Sequence, residues 1–458
     1  MNSIKVRFLL PFILVCSLVF LASILFCLEF SSLERVLLPY SISILISLGI
    51  FAILNNILKD KFISKIYLIS VLFHFIIILF WQIFKYYILG YNLPTDNTFI
   101  PFTVDNDGVL YHQLGVHISN NFSFELLKEK FTGGLFPKII GVLYHYFGNN
   151  PFIPCCLNCI IAGFTAIFIY LIGKNTLKNI ITTKLYTIFS IVTFSHLLNT
   201  SVLMRDGYIT LFMYSSLFLS YLFYKTSNIL YLLLTILSCY GLYLFRPYAA
   251  FVIIFAIIAT QIFIRLKLNF TNKKLKLNKI TAILIFISPI ILGIIAFALS
   301  KISSFMSVVS VEDLINIREV SYAYGAAEIS INFGALYSKF FLLPFIVGYI
   351  YLFGAPFPWE WIYPRRMIYV PDMIMLYCFL PSFFKNIKKV FTDKNYFLII
   401  CFCSMLFMFS IYCITLGNSG AIHRLRGPFV PMIYLTAMYA PDKFLNKIIE
   451  KIKQWRVV

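Results

Sequence analysis

Runs of apolar residues long enough to cross a bilayer recur along the chain, broken by short polar stretches. A hydrocarbon core of about 30 Å needs about 20 such residues in a helix. Runs near 8–28, 36–58, 66–89, 152–173, 185–204, 207–224, 229–245, 248–264, 280–300, 367–384, 395–416 and 427–441 approach or exceed that length, and a further apolar stretch lies at about 338–355. The pattern predicts an all-α polytopic membrane protein with about 12 transmembrane helices (11–13), forming one integral membrane domain over residues 1–458. Residues 8–28 follow Lys5 and Arg7 but run long and lack a clear small-residue cleavage site, so they read as a retained first span rather than a signal peptide. Two longer stretches interrupt the series. Residues 90–151 carry amphipathic helical spacing, and residues 301–366 enclose the apolar stretch at 338–355.

Composition agrees with this pattern and narrows it. The chain is 60% hydrophobic and 12% charged, about half the charged share of a soluble domain. A large soluble enzyme is thereby excluded. The ten cysteines lie mostly within apolar runs. Cys155, Cys156 and Cys159 cluster, but no further ligands sit at zinc spacing, so small buried hydrophobes are expected. The bias towards Lys, Ile, Asn and Phe suits an AT-rich bacterial genome.

The net charge of +20 suggests a nucleic-acid partner only until it is placed on the spans. Lys and Arg gather on the cytoplasmic side of membrane helices. Clusters at 265–279, at 385–394 and after Lys443 set that side, and parity then puts both termini in the cytoplasm of a bacterial plasma membrane. The runs at 280–300 and 367–384 already supply the two crossings between the first two clusters. The stretch 338–355 is therefore expected to be interfacial or re-entrant, ending outside in the Pro- and Trp-rich segment 356–361. On this topology the inner side holds 24 Lys and Arg against four acids, and the outer side holds 14 of each sign. The excess charge faces the cytoplasm, and no nucleic-acid interface is expected.

The arginines break the trend that the lysines obey. Eight of the 11 arginines fall outside: Arg35, Arg205, Arg246, Arg318, Arg365, Arg366, Arg424 and Arg426. Guanidinium grips phosphate as a fork, so this placement points to a phosphate-bearing, lipid-linked ligand. Plain structural ion pairs would leave the same balance of charge.

Candidate chemistry concentrates on the outer loops and turns. In the first loop, Asp107 precedes Leu110, Leu114 and Ile118 at helical spacing. It reads as a helix cap, or as a general base able to take a proton from an acceptor hydroxyl. Asp105 could share that role or bind a divalent cation, a cofactor the sequence allows but does not require. His112, His117 and His145 read as polar groove residues. Arg205 and Asp206 form a charge pair in one tight turn, which either neutralises itself or marks a site. Arg246, Pro247 and Tyr248 form a second turn, where Pro247 opens a helix whose N-terminus favours an anion. His423, Arg424, Leu425, Arg426, Gly427 and Pro428 form a third. There Arg424 and Arg426 share a direction only if the segment is extended.

This succession resembles the GT-C membrane glycosyltransferases, in particular the protein O-mannosyltransferase and aminoarabinose-transferase branch. That branch carries an acid in its first outer loop with Tyr four positions on, as Asp107 and Tyr111 stand here; Gly108 occupies the place where a second acid often follows. The run from Tyr144 to Pro151, Leu157-Asn158, and the turns at Arg205 and Arg246 continue the likeness over about residues 66–265. The resemblance implies a sugar donor on a polyprenyl phosphate and a glycan, lipid or protein acceptor at the outer bilayer surface. It further implies Asp107 as the catalytic base, a role that Asp105 could share. Tyr111, Arg205, Asp206, Arg246, Tyr248, Arg424 and Arg426 would be substrate-binding residues. Two other readings stay open. An O-antigen-type polysaccharide polymerase would use the arginines of 301–366. A lipid-linked oligosaccharide flippase would need charges near the membrane midplane, where the spans are nearly free of them.

Overall fold

A computed structural model describes residues 34–87, 106–123, 125–129, 131–265, 342–361, 367–415, 419–441, 446–447 and 449–450. The expected spans at 8–28 and 280–300, Asp105, Arg318, Arg365, Arg366 and most of the loop 301–366 lie outside the described residues. Among the described residues all regular structure is helical. In chain order the helices are α1 (Glu34–Ile57), α2 (Lys61–Tyr87), α3 (Asn106–Asn120), α4 (Phe136–Phe147), α5 (Phe152–Thr176), α6 (Ile180–Val192), α7 (Phe194–Ser201) and α8 (Asp206–Thr226). They continue with α9 (Ile229–Phe245), α10 (Pro247–Arg265), α11 (Leu342–Gly354), α12 (Val370–Thr392), α13 (Tyr396–Thr415), α14 (Ser419–Arg426) and α15 (Val430–Tyr439).

Four stretches are long and apolar enough to cross a membrane: Leu38–Ile57 in α1, Lys61–Trp81 in α2, Phe152–Thr176, which is α5, and Tyr396–Cys413 in α13. The run expected as one span at 185–204 is instead the pair α6 and α7, bent by 56°. No proline or glycine causes this break. Thr193 returns its hydroxyl to Phe189 O at 2.9 Å, and such back-bonding bends helices. In α7, Asn199, Thr200 and Ser201 do the same to Ser195 O, His196 O and Leu197 O, which keeps an eight-residue helix satisfied inside apolar surroundings. The described helix α11 has 13 residues, about 20 Å and shorter than the hydrocarbon core. Helix α12 runs to Thr392, so the lysines at 385–389 continue a helix that was expected to end at 384.

The chain divides into two compact units. The first comprises Met1–Gly173, Thr187–Phe218 and Leu233–Ala250. Here α2 and α5 meet around Ile63, Ile66, Ala166, Tyr170 and, from α6, Ile191. The Tyr170 hydroxyl donates to Asp60 at 2.8 Å, so the α1–α2 turn is tied to α5. Helices α3 and α4 cross closely because each offers a glycine to an isoleucine of the other. A Cβ on Gly115 would run into Ile140, and one on Gly141 into Ile118. This crossing shifts the buried face of α3 to Gly108, Tyr111, Gly115 and Ile118, and leaves Leu110 and Leu114 half-buried. Packing against α4, not the leucine spacing, decides which face turns inward.

The second unit comprises Lys174–Tyr186, Leu219–Leu232 and Phe251–Val458. Its core is α13, buried along nearly its whole length. Tyr396 at the start of α13 donates to Ser220 and accepts from Gln261. On α11, Tyr349 reaches Leu406 O at 2.9 Å. Helix α15 packs on α12, where Phe379 and Tyr434 lie 4.3 Å apart. Its last carbonyls, Thr436 O and Ala440 O, meet the Asn386 amide at 2.9 Å each.

Candidate functional site

Two turns of the first unit brace each other. The α7–α8 turn carries Arg205 and Asp206, and the α9–α10 turn carries Arg246. Arg205 does not pair with its neighbour. Its Nη1 donates to Phe245 O at 2.9 Å, while Arg246 Nη2 reaches back to Asp206 Oδ1 at 3.2 Å. The sequence expectation of a self-neutralising Arg205–Asp206 pair is thus replaced by a reciprocal tie between two turns. Arg246 and Asp206 are 3% and 1% exposed. A buried ion pair of this kind fixes geometry; removing one partner would strand the other charge in a low-dielectric interior.

That pairing separates the two arginines chemically. The Arg246 charge is matched by Asp206. Arg205 is half-buried and has no carboxylate partner among the described residues, and its Nε makes no hydrogen bond there. Its guanidinium lies 6.0 Å from the ring of Tyr111, a cation–π distance. Arg246 stands in the same relation to Tyr248, at 5.8 Å.

Tyr111 is held in place by an aromatic series. Its ring meets Phe136 edge-on at 5.4 Å, Phe136 meets Tyr208 at 5.7 Å, and Tyr208 stacks on Phe245 at 4.7 Å. The Tyr208 hydroxyl is buried and has no hydrogen-bond partner among the described residues. The turn before α4 closes the group. Gly133 and Gly134 have φ of 99° and 68°, a region open to glycine and costly for other residues. A Cβ on Gly133 would strike the Tyr111 ring and one on Gly134 would strike Leu244 O. Directly after them, Leu135 N donates to Leu244 O at 3.0 Å. The glycine pair therefore lets the 131–135 segment lie against both α3 and the end of α9.

Asp107 lies in the first turn of α3, inside the helix and one turn before Tyr111. Residues at i and i+4 share a helix face, so its half-buried carboxylate belongs to the face that presents Tyr111 to Arg205. Helix-dipole potential at an N-terminus favours the negative charge. Asp107, Tyr111, Arg205, Asp206, Arg246 and Tyr248 all fall in the first unit. Further along α3, His112 Nδ1 and the Tyr144 hydroxyl of α4 are hydrogen-bonded at 2.8 Å. Burial holds the His112 imidazole below its ordinary range, which favours the neutral ring. His145 stacks on Phe122 at 4.2 Å. Among the described residues no group of three or more His, Cys, Asp or Glu is placed to hold a metal ion.

Arg424 and Arg426 belong to the second unit, and there they lie on the helix α14, not on the extended segment that would let them share a direction. Two residues apart on a helix, side chains diverge by about 200°. Arg426 is turned inward at 1% exposure. Its Nη1 donates to Leu352 O at 3.1 Å and Ala355 O at 2.8 Å, and its Nη2 approaches Met373 Sδ and His423 Nδ1. A cation closing the last carbonyls of α11 is a structural strut. Arg424 is half-buried.

Two residues of this region were not among the expected site residues. Asn158 in α5 donates to Val202 O at 2.6 Å and Met204 O at 3.0 Å, the backbone that leads into Arg205. His74 in α2 contacts Thr200 Oγ1 at 2.8 Å. The sequence signal for both was an isolated polar residue inside an apolar run. Comparison with known proteins finds no matching family model, no matching curated protein and no matching solved structure.

Proposed function

We propose that this protein is an integral membrane glycosyltransferase, which moves a sugar from a polyprenyl-phosphate donor to an acceptor hydroxyl at the outer surface of a bacterial plasma membrane. The observation that carries the reading is the grouping of a half-buried arginine with no carboxylate partner among the described residues, Arg205, over Tyr111, one helical turn from Asp107. An arginine with donors to spare beside aromatic rings suits a phosphate whose tail is apolar.

In this mechanism Asp107 takes the proton from the acceptor hydroxyl as its oxygen attacks the anomeric carbon. The bond to the phosphate oxygen breaks, configuration inverts, and the electron pair leaves with the lipid phosphate. Arg205 stabilises the growing charge, which counts for more where water is scarce. Arg246 and Asp206 act one step back by fixing the turn. The described contacts of Arg426 favour a structural role for that residue over phosphate binding.

The test is transfer by purified protein in lipid nanodiscs, followed with radiolabelled polyprenyl-phosphate sugar. Asp107→Asn is expected to lower turnover by at least about a hundredfold with donor binding retained. Undiminished transfer in that variant would remove Asp107 from the chemistry. A ladder of polymer lengths from the wild type, in place of single-sugar transfer, would favour the polymerase.

A further inference from the structure

The turn that carries Arg205 is only partly satisfied by its own backbone, in which Met204 N donates to Val202 O at 2.7 Å. Helix α7 ends at Ser201 and α8 begins at Asp206, so 202–205 runs without regular helical bonds while buried up to Met204. Val202 is extended, with φ −73° and ψ −177°. Carbonyls in such a segment need donors, because a buried unsatisfied one costs about 1–3 kcal/mol.

Asn158, fully buried in α5, supplies them. Both contacts of its Nδ2 are to carbonyl oxygens, which can only accept, so the amide orientation is fixed and both of its hydrogens are committed to Val202 O and Met204 O. His74 holds the other end. Its Nδ1 faces Ser70 O at 2.7 Å, again an acceptor only, so Nδ1 carries the proton. In the neutral ring Nε2 then carries the lone pair, and the Thr200 hydroxyl, whose one hydrogen also faces His196 O at 2.7 Å, lies 2.8 Å from it. His196 packs near it, edge-on at 6.3 Å.

We propose that Asn158 and His74 are positioning residues for Arg205. From α5 and α2 they bracket residues 200–204 and so set where the guanidinium stands over Tyr111. The inference rests on the reading of Arg205 as the phosphate-binding arginine, but the bracket has its own observable. Without its donors, residues 202–205 would shift or open while the helices around them stay folded.

The experiment uses the full chain in phosphatidylcholine nanodiscs, with farnesyl monophosphate as the probe and hydrogen–deuterium exchange over residues 202–208 as a readout independent of any ligand. Thr200→Val keeps the shape and removes the hydroxyl; Thr200→Ser keeps the hydroxyl and loses a methyl group; Asn158→Leu removes both donors. Thr200→Val and Asn158→Leu should each weaken farnesyl phosphate binding by at least about tenfold. They should also speed exchange at 202–208 while 106–147 exchanges as in the wild type. Thr200→Ser should match the wild type in both. A packing role would reverse the two threonine variants, since serine leaves the larger void. If exchange at 202–208 is unchanged in both Thr200→Val and Asn158→Leu, or Thr200→Val binds the probe normally while Arg205→Gln does not, the bracket is overturned. If Arg205→Gln binds as well as the wild type, it is the phosphate reading that falls, and exchange alone decides the bracket.

Discussion

At the residue scale, the most informative contrast is between two arginines 41 positions apart that share one corner of the fold. Arg246 is buried and paired; among the described residues Arg205 is half-buried and reaches a carbonyl and a ring but no carboxylate. Their substitutions should therefore behave differently. Asp206→Asn leaves the Arg246 charge buried without its counter-ion and should cost about 3–5 kcal/mol. Arg205→Gln loses a carbonyl bond at a half-exposed position and should cost about 1 kcal/mol. Thermal unfolding in nanodiscs measures both, and an Arg205→Gln protein less stable than Asp206→Asn would invert the assignment of roles. The candidate residues were legible as types and as sequence neighbours. Their pairing was not, because adjacent opposite charges suggest a bond that the turn geometry does not make.

At the element scale, α3 and α4 show packing overruling spacing. Leucines at 110 and 114 marked one face, but the exchange of Gly115 and Gly141 for Ile140 and Ile118 buries another, with Tyr111 on it. The pair is also pH-sensitive through His112. Its folded-state affinity for protons lies below the ordinary 6.5 because of burial. As pH falls through that ordinary value, the unfolded chain takes up a proton that the folded helix pair refuses. Stability is thus intact above about pH 6.5 and drains away below it. Limited proteolysis within 121–135 should accelerate between pH 8 and pH 5. In His112→Gln, which accepts the Tyr144 hydroxyl at either pH, that acceleration should shrink. A variant as pH-sensitive as the wild type would point to another group. The bend between α6 and α7 belongs to this scale too. The apolar run at 185–204 had the length of one span, and the hydroxyl and amide side chains from Thr193 to Ser201 divided it.

At the scale of the whole molecule, the described residues contain four or five stretches able to cross a membrane, within an expected total of about 12. Orientation is a matter of charge. The lysine clusters and the turns that carry Arg205 and Arg246 are expected on opposite sides. A membrane-impermeant thiol reagent on intact cells should label Asn149→Cys, in the exposed turn before α5, and leave Asn272→Cys untouched until the membrane is opened. Labelling in the reverse order would turn the molecule over and put Arg205 in the cytoplasm.

The sequence by itself determined the class of this protein. Long apolar runs can satisfy their backbone only as helices, and a lysine excess on alternate connections biases their direction whatever the packing. It also determined which residue types could carry chemistry, since few charged groups interrupt those runs. Tertiary structure alone decided which charge is matched and which has no carboxylate partner among the described residues. Asp206 meets Arg246 across 40 residues, Asn158 meets Val202 across 44, and His74 meets Thr200 across 126. Helical periodicity reports on neighbours three or four residues away, whereas a buried polar group takes whichever partner the packed helices bring within about 3 Å.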